Sequence, residues 1–197
     1  MKLKNINKSF ENFEVLKNFS IEIKDNKTTC LFGKSGCGKT TLMNIMCGII
    51  KDYDGEINPI TKKISVVFQE TRLLPWFTVA KNISIVSKKY LYYLDAVELL
   101  EFQSYYPENL SGGMRQRLNI ARALSVGFDI LIMDEPFKGI DLTLKTKIMN
   151  FIKNETKNKT VIFTTHDYNE ALYLSDEIVY LDGPPLKITK IQQINNS

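Results

Sequence analysis

Gly33-Lys34-Ser35-Gly36-Cys37-Gly38-Lys39-Thr40 brings together residue types that can hold a phosphate chain. In a G-x-x-x-x-G-K-[ST] loop the glycines let the backbone curl, so that successive N–H groups point inward at phosphate oxygens. A helix that starts at the end of the loop adds the positive end of its dipole to the same anion. Lys39 then reaches the β- and γ-phosphates of a nucleotide such as ATP, and the Thr40 hydroxyl holds Mg²⁺. Cys37 fills a variable position and needs no role of its own. A chance glycine-rich turn would not have a strand before it and a helix after it, and both are expected here.

Two further groups could do chemistry with such a nucleotide. Ile130-Leu131-Ile132-Met133-Asp134-Glu135 is an apolar strand ending in two acids, and strand alternation aims one side chain to each face of the tip. Asp134 can hold Mg²⁺ through its hydration shell while Glu135 faces the attacking water. Two ordinary acids at a solvated strand end are the plain alternative, and the phosphate loop in the same chain weighs against it. Leu110-Ser111-Gly112-Gly113-Met114-Arg115-Gln116-Arg117 places a serine and two glycines at the head of an amphipathic helix, where amides and a hydroxyl form a second anion site. One nucleotide hardly needs two such sites, so by itself this serine reads as a helix cap.

The elements that must position these groups follow from hydrophobic period. Phe19, Ile21 and Ile23 alternate, and the run 28–32 leads into the glycine loop; both predict strands. Helix is predicted over 40–50 and strand over 64–68. Over 78–102 the apolar positions Val79, Ile83, Val86, Leu94, Val97 and Leu100 follow helical spacing with no strand, an inserted helical segment. Then come helix 111–124, strand 128–133, helix 142–154, and strands 160–164 and 177–181. Alternating strands and helices imply an α/β fold with a mostly parallel sheet covered on both faces. Gly183-Pro184-Pro185 marks a turn before a short polar tail.

Composition narrows the class. A chain of 197 residues with 44% apolar content is expected to fold as one domain. Its net charge of +4 is spread without a basic block, which gives nucleic-acid binding no support. Three cysteines without metal-ligand spacing, two of them flanking the loop, fit reduced thiols in a cytosolic protein. The start of the chain has no apolar leader, and no stretch approaches the length that spans a bilayer. If the protein works at a membrane, a partner supplies the spanning helices.

Taken together, the loop, the Leu-Ser-Gly-Gly-Met-Arg-Gln-Arg segment and the Asp134-Glu135 pair resemble the nucleotide-binding subunit of ATP-binding cassette (ABC) transporters over nearly the full length. The resemblance implies a P-loop ATPase fold with an N-terminal antiparallel β portion and a helical subdomain near 76–126. It implies ATP and Mg²⁺ as ligands, with residues 33–40 and Thr41 on the nucleotide and Thr40, Gln69 and Asp134 near the metal. It implies pairing of two subunits, so that Ser111, Gly112 and Gly113 of one close on the γ-phosphate held by the other. Glu135 and His166, the only histidine, match the catalytic glutamate and the switch histidine; Gln69 matches the Q-loop glutamine; Phe10 matches the aromatic that stacks on adenine; and Asp141 matches the D-loop aspartate. Lys138-Gly139-Ile140-Asp141 departs from the Ser-Ala-Leu-Asp type by losing the serine. The helical segment and the stretch after His166 are shorter than the family pattern, and no appended regulatory domain is expected.

Residues 68–76, Phe-Gln-Glu-Thr-Arg-Leu-Leu-Pro-Trp, are similar to the segment of nitrate, sulfonate and taurine importers, with Thr71 where proline is common. The run 73–77 should be an exposed apolar turn suited to a permease helix. The expected role is thus an energy-coupling ATPase at the cytoplasmic face of the membrane, bound to a permease and indirectly to an extracellular substrate-binding protein. A soluble ABC ATPase of DNA repair or translation is the alternative, and a P-loop nucleotide kinase is a third reading.

Overall fold

The computed structural model describes residues 1–58 and 62–194. Strands β1 (Lys2–Phe10) and β2 (Phe13–Glu22) form an antiparallel hairpin, and β4 (Asp54–Ile57) joins the other edge of β1. β3 (Thr28–Phe32), β5 (Ile64–Val67), β6 (Ile130–Asp134), β7 (Thr160–Thr165), β8 (Glu177–Asp182) and β9 (Lys187–Gln193) make a second sheet in the order β5-β6-β7-β3-β8-β9. All its pairs are parallel except β8 with β9.

Burial explains why the central strands read as unbroken apolar runs. Every residue of β6 and β7 is buried, as expected when a parallel sheet is covered on both faces. Leu31, Ile132, Ile162 and Val179 face a core closed by α1 (Lys39–Met46) and the hairpin sheet. Cys30, Leu131, Met133, Val161 and Phe163 face the opposite core. That core contains residues of α4 (Gly112–Ser125), α5 (Leu142–Glu155) and α6 (Tyr168–Leu174). The alternation of Phe19 and Ile21 places both in the hairpin-side core.

Several elements differ from their predicted form. α1 stops at Met46, because Gly48 turns left-handed at φ +71. The segment 78–102 is two short helices, α2 (Val79–Ser84) and α3 (Tyr90–Ala96), followed by a 3₁₀ turn at Leu100–Phe102. Its apolar spacing is kept because Ile83 and Leu94 are both fully buried, while the chain reverses through 85–89 and turns left-handed again at Glu98. The orphan N–H groups of Val79 and Ala80 donate to the carbonyls of Tyr105 and Gln103 at 2.8 and 2.9 Å. The polar tail is the edge strand β9. Its sequence does not announce a strand because it gains ladder bonds rather than a buried face, and Lys187 and Lys190 guard its open edge.

The turn between β5 and α2 is built around Asn82, which is fully buried. Its Oδ1 accepts from Leu74 N at 2.9 Å, and its Nδ2 lies within 3.0–3.1 Å of the carbonyls of Leu74, Phe77 and Thr78. Arg122 of α4 donates to the Arg72 carbonyl at 2.8 Å. The result holds Trp76 outward at 66% exposure, while Leu73 packs on the core. Of the apolar turn expected over 73–77, Pro75 and Trp76 are exposed and Leu73, Leu74 and Phe77 are half-buried. Asn82→Ala strips several buried backbone groups of their partners and should destabilise the fold by about 3 kcal/mol. Urea unfolding measures the loss, and hydrogen exchange should show it concentrated in residues 73–78.

Candidate nucleotide site

The loop 33–40 turns through Gly36 and Gly38, whose φ values of +81 and +111 lie in the region that side chains avoid. A Cβ on Gly38 would also stand 3.0 Å from Val15 Cγ1. The ammonium of Lys39, 5% exposed, donates to the carbonyls of Gly33 (2.7 Å) and Lys34 (2.9 Å). Those bonds stretch the side chain across the mouth of the loop and leave one N–H for a ligand. The Cys37 side chain is buried in the hairpin-side core, which leaves its backbone to the loop.

The carboxylates are held by hydroxyls. Asp134 accepts from Thr40 Oγ1 at 2.7 Å on one oxygen and from Thr164 Oγ1 at 2.6 Å on the other. Thr164 in turn accepts from the backbone N–H of Glu135 at 2.9 Å. Glu135 has φ +46, so a left-handed turn after the strand, rather than strand alternation, directs its side chain. Such a conformation costs on the order of 1 kcal/mol in a non-glycine residue and gathers at functional sites. Nδ1 of His166 lies 3.0 Å from one Glu135 carboxylate oxygen and 3.2 Å from the other. The turn bearing His166 is fixed by Thr165, which donates to the buried Glu170 at 2.5 Å and accepts from Asp167 N at 3.0 Å.

The loop and the two carboxylates border a cavity of about 340 Å³, whose lining does not include Gly33, Lys34, Cys37 or His166. Phe10, Phe13 and Val15 form its apolar end; Ser35, Gly36, Gly38, Lys39, Thr40 and Thr41 form its loop side; and Gln69, Asp134 and Glu135 form the far side. Its two parts suit a flat apolar ring and a charged phosphate chain. Phe10 is 47% exposed, with the Lys8 ammonium 4.9 Å from its ring. Sequence reasoning missed Phe13, Val15 and Thr164. The first two belong to the hairpin pairing that sets Phe13 opposite Phe10, and Thr164 is a small polar residue that only its neighbours distinguish.

Ser111, Gly112, Gly113 and Asp141 do not line this cavity. Ser111 caps α4 by accepting from Met114 N at 3.2 Å, and Asp141 caps α5 by accepting from Leu144 N at 3.0 Å. Ser111 and Gly112 are exposed. The N-terminal end of α4 is thus no part of the cavity beside the chain's own glycine loop.

With this geometry in view, the ABC transporter family model matches residues 16–138, and the chain belongs to that family. It is an ABC-type ATP-binding subunit and ATPase. It is 38% identical to the aliphatic sulfonates import ATP-binding protein SsuB of Bacillus cereus, over 90% of this chain and 78% of that protein. It is 37% identical to SsuB 2 of Pseudomonas syringae pv. tomato, over 92% and 82%. Among solved structures it is similar to the ATP-binding cassette MJ0796 in a dimeric post-hydrolysis state bound to ADP and Pi, with a TM-score of 0.87 and 29% identity. That match covers 100% of this chain and 99% of the other.

Proposed function

We propose that the chain binds ATP between the loop 33–40 and the Phe10–Phe13 end of the cavity, and hydrolyses it to drive a membrane permease that imports sulfonates or related small anions. The observation that carries the chemistry is the Asp134-Glu135 tip, where one acid is tied to the loop threonine and the other to His166. In this reading residues 33–41 hold the phosphates, and Phe10 takes the adenine. Glu135 orients and deprotonates water, while His166 and Gln69 contact the γ-phosphate side.

Mg²⁺ fits the same residues. Thr40 Oγ1 and Asp134 Oδ2, both hard oxygens, sit 2.7 Å apart at the cavity wall, with Gln69 on the same wall. Among the described residues no cluster of three or more His, Cys, Asp or Glu forms a cage. Mg²⁺ takes few protein ligands and completes its shell with phosphate and water. When bound, it would neutralise charge on the phosphates, and Thr40 and Asp134 would fix its place.

The outward end of α4 supports a composite site, in which Ser111, Gly112 and Gly113 of one copy close on the triphosphate held by a second copy. The dimeric form of the similar cassette supports the same reading. Residues 1–197 then act as one ATPase unit, with the helices of 76–126 as the arm that meets the permease at Trp76. No helix of the described residues is long and apolar enough to cross a membrane, so the permease would hold this subunit at the cytoplasmic face, with a substrate-binding protein outside. Co-expression with a permease of the sulfonate-importer type tests the proposal. The chain should then sediment with membranes, and Trp76→Ala should shift most of it to the supernatant. Recovery with ribosomes or DNA instead would favour the soluble ATPase alternative.

A further inference from the structure

We propose that Thr164 is a positioning residue whose single hydroxyl sets the metal-side carboxylate of Asp134 and the water-side carboxylate of Glu135 in one geometry. The inference rests on the roles given to those two acids above. In the parallel ladder of β6 and β7, Thr164 stands opposite Asp134, two residues beyond the pair Ile132 and Ile162. Both isoleucines are fully buried in the hairpin-side core, and Thr164 is fully buried as well. Packing and strand propensity at such a place are met by valine, which has the same shape without the oxygen. A hydroxyl there costs free energy unless it finds hydrogen-bond partners.

Both its donor and its acceptor capacity are used, and in one direction only. The backbone N–H of Glu135 can only donate, so at 2.9 Å it makes Thr164 Oγ1 an acceptor. The one hydroxyl proton then goes to Asp134 Oδ1 at 2.6 Å. Thr40 Oγ1 gives its proton to Asp134 Oδ2 at 2.7 Å, which leaves the Thr40 lone pairs for a metal. Asp134 is thus held at both oxygens, and one of the two holds is shared with the backbone of Glu135. That backbone lies at φ +46, a conformation that persists only where its surroundings impose it. The same bond therefore helps to direct the Glu135 side chain, whose carboxylate lies 3.0 Å from His166 Nδ1. Removing the oxygen frees Asp134 to rotate and relaxes the turn at Glu135 together.

The test compares the full chain with T164V, which keeps the shape, and T164S, which keeps the hydroxyl. Binding of a fluorescent, non-hydrolysable ATP analogue is titrated at several Mg²⁺ concentrations and in EDTA. Single-turnover phosphate release at saturating MgATP and thermal unfolding are measured in parallel. T164V should raise the Mg²⁺ concentration that half-promotes binding about tenfold and slow phosphate release about thirtyfold, within the range that lost support of a metal ligand costs. Its affinity for the analogue in EDTA should match the parent's, and T164S should return both quantities to within roughly threefold. A T164V protein that unfolds earlier yet keeps the parent's Mg²⁺ dependence and rate would overturn the proposal, because its hydroxyl would then be structural only. A T164S protein as impaired as T164V would overturn it too. Should T164V fail to fold, T164A carries the same expectations. A parent whose binding and phosphate release ignore Mg²⁺ would overturn the roles of Asp134 and Glu135 themselves, a distinct result.

Discussion

Glu135→Gln should lower ATP turnover about a thousandfold, within the range that a positioned general base contributes, while ATP affinity stays close to that of the parent. The amide has the shape of the carboxylate but cannot accept the proton of the attacking water. The change should be nearly silent for folding. The backbone N–H of Glu135 keeps its bond to Thr164 Oγ1, and the left-handed turn at φ +46 is not altered by the substitution. The altered contact with His166 contributes little, because that imidazole is 64% exposed. Phosphate release under single-turnover conditions, with parallel nucleotide binding and thermal unfolding, separates chemistry from stability. A variant that still turned over at the parent rate would remove Glu135 from the catalytic role and move the base to another group. In the composite-site reading the same variant accumulates as an ATP-bound dimer, which gives a second readout independent of phosphate release.

Lys39→Ala should weaken ATP binding by at least about a hundredfold, the loss of a charge-assisted contact to the β- and γ-phosphates together with disorder in the loop that the ammonium ties. Both effects trace to one atom, since Nζ bonds the carbonyls of Gly33 and Lys34. AMP separates them. It lacks the phosphates that Lys39 addresses, so its weak binding should change little if the loop survives and should vanish if the loop collapses. Retained ATP affinity, measured by calorimetry, would refute the phosphate-loop assignment. The two variants should differ in kind: Lys39→Ala loses the ligand, whereas Glu135→Gln keeps it and loses the reaction.

The residues proposed to hold phosphate were legible because their types are fixed by local geometry. Gly36 and Gly38 occupy φ values that other residues avoid, and Lys39 and Thr40 follow at a spacing set by one turn of loop into helix. Asp134 and Glu135 were legible because a buried strand ends in acids. The direction of Glu135 was not, because the chain leaves the strand in a left-handed turn. The helical segment kept its period but not its continuity, since apolar spacing records which side chains are buried and carries no information on where the backbone reverses. β9 escaped detection because a ladder of backbone bonds can be made by polar residues.

The sequence by itself determined the class of chemistry, through short runs whose function depends on neighbours along the chain. Tertiary structure decided what is assembled from distant segments. It set Phe13 opposite Phe10 across a hairpin, brought Thr164 to Asp134 across 30 residues of chain, and laid Gly139 on Gly113 at the head of α4. The physical reason is that a local motif is specified by the conformational limits of its own residues, whereas contacts between segments depend on the packing of the two cores on either side of the sheet. That packing also leaves Ser111, Gly112 and Gly113 outside the cavity that the glycine loop borders, a separation that their spacing along the chain does not reveal.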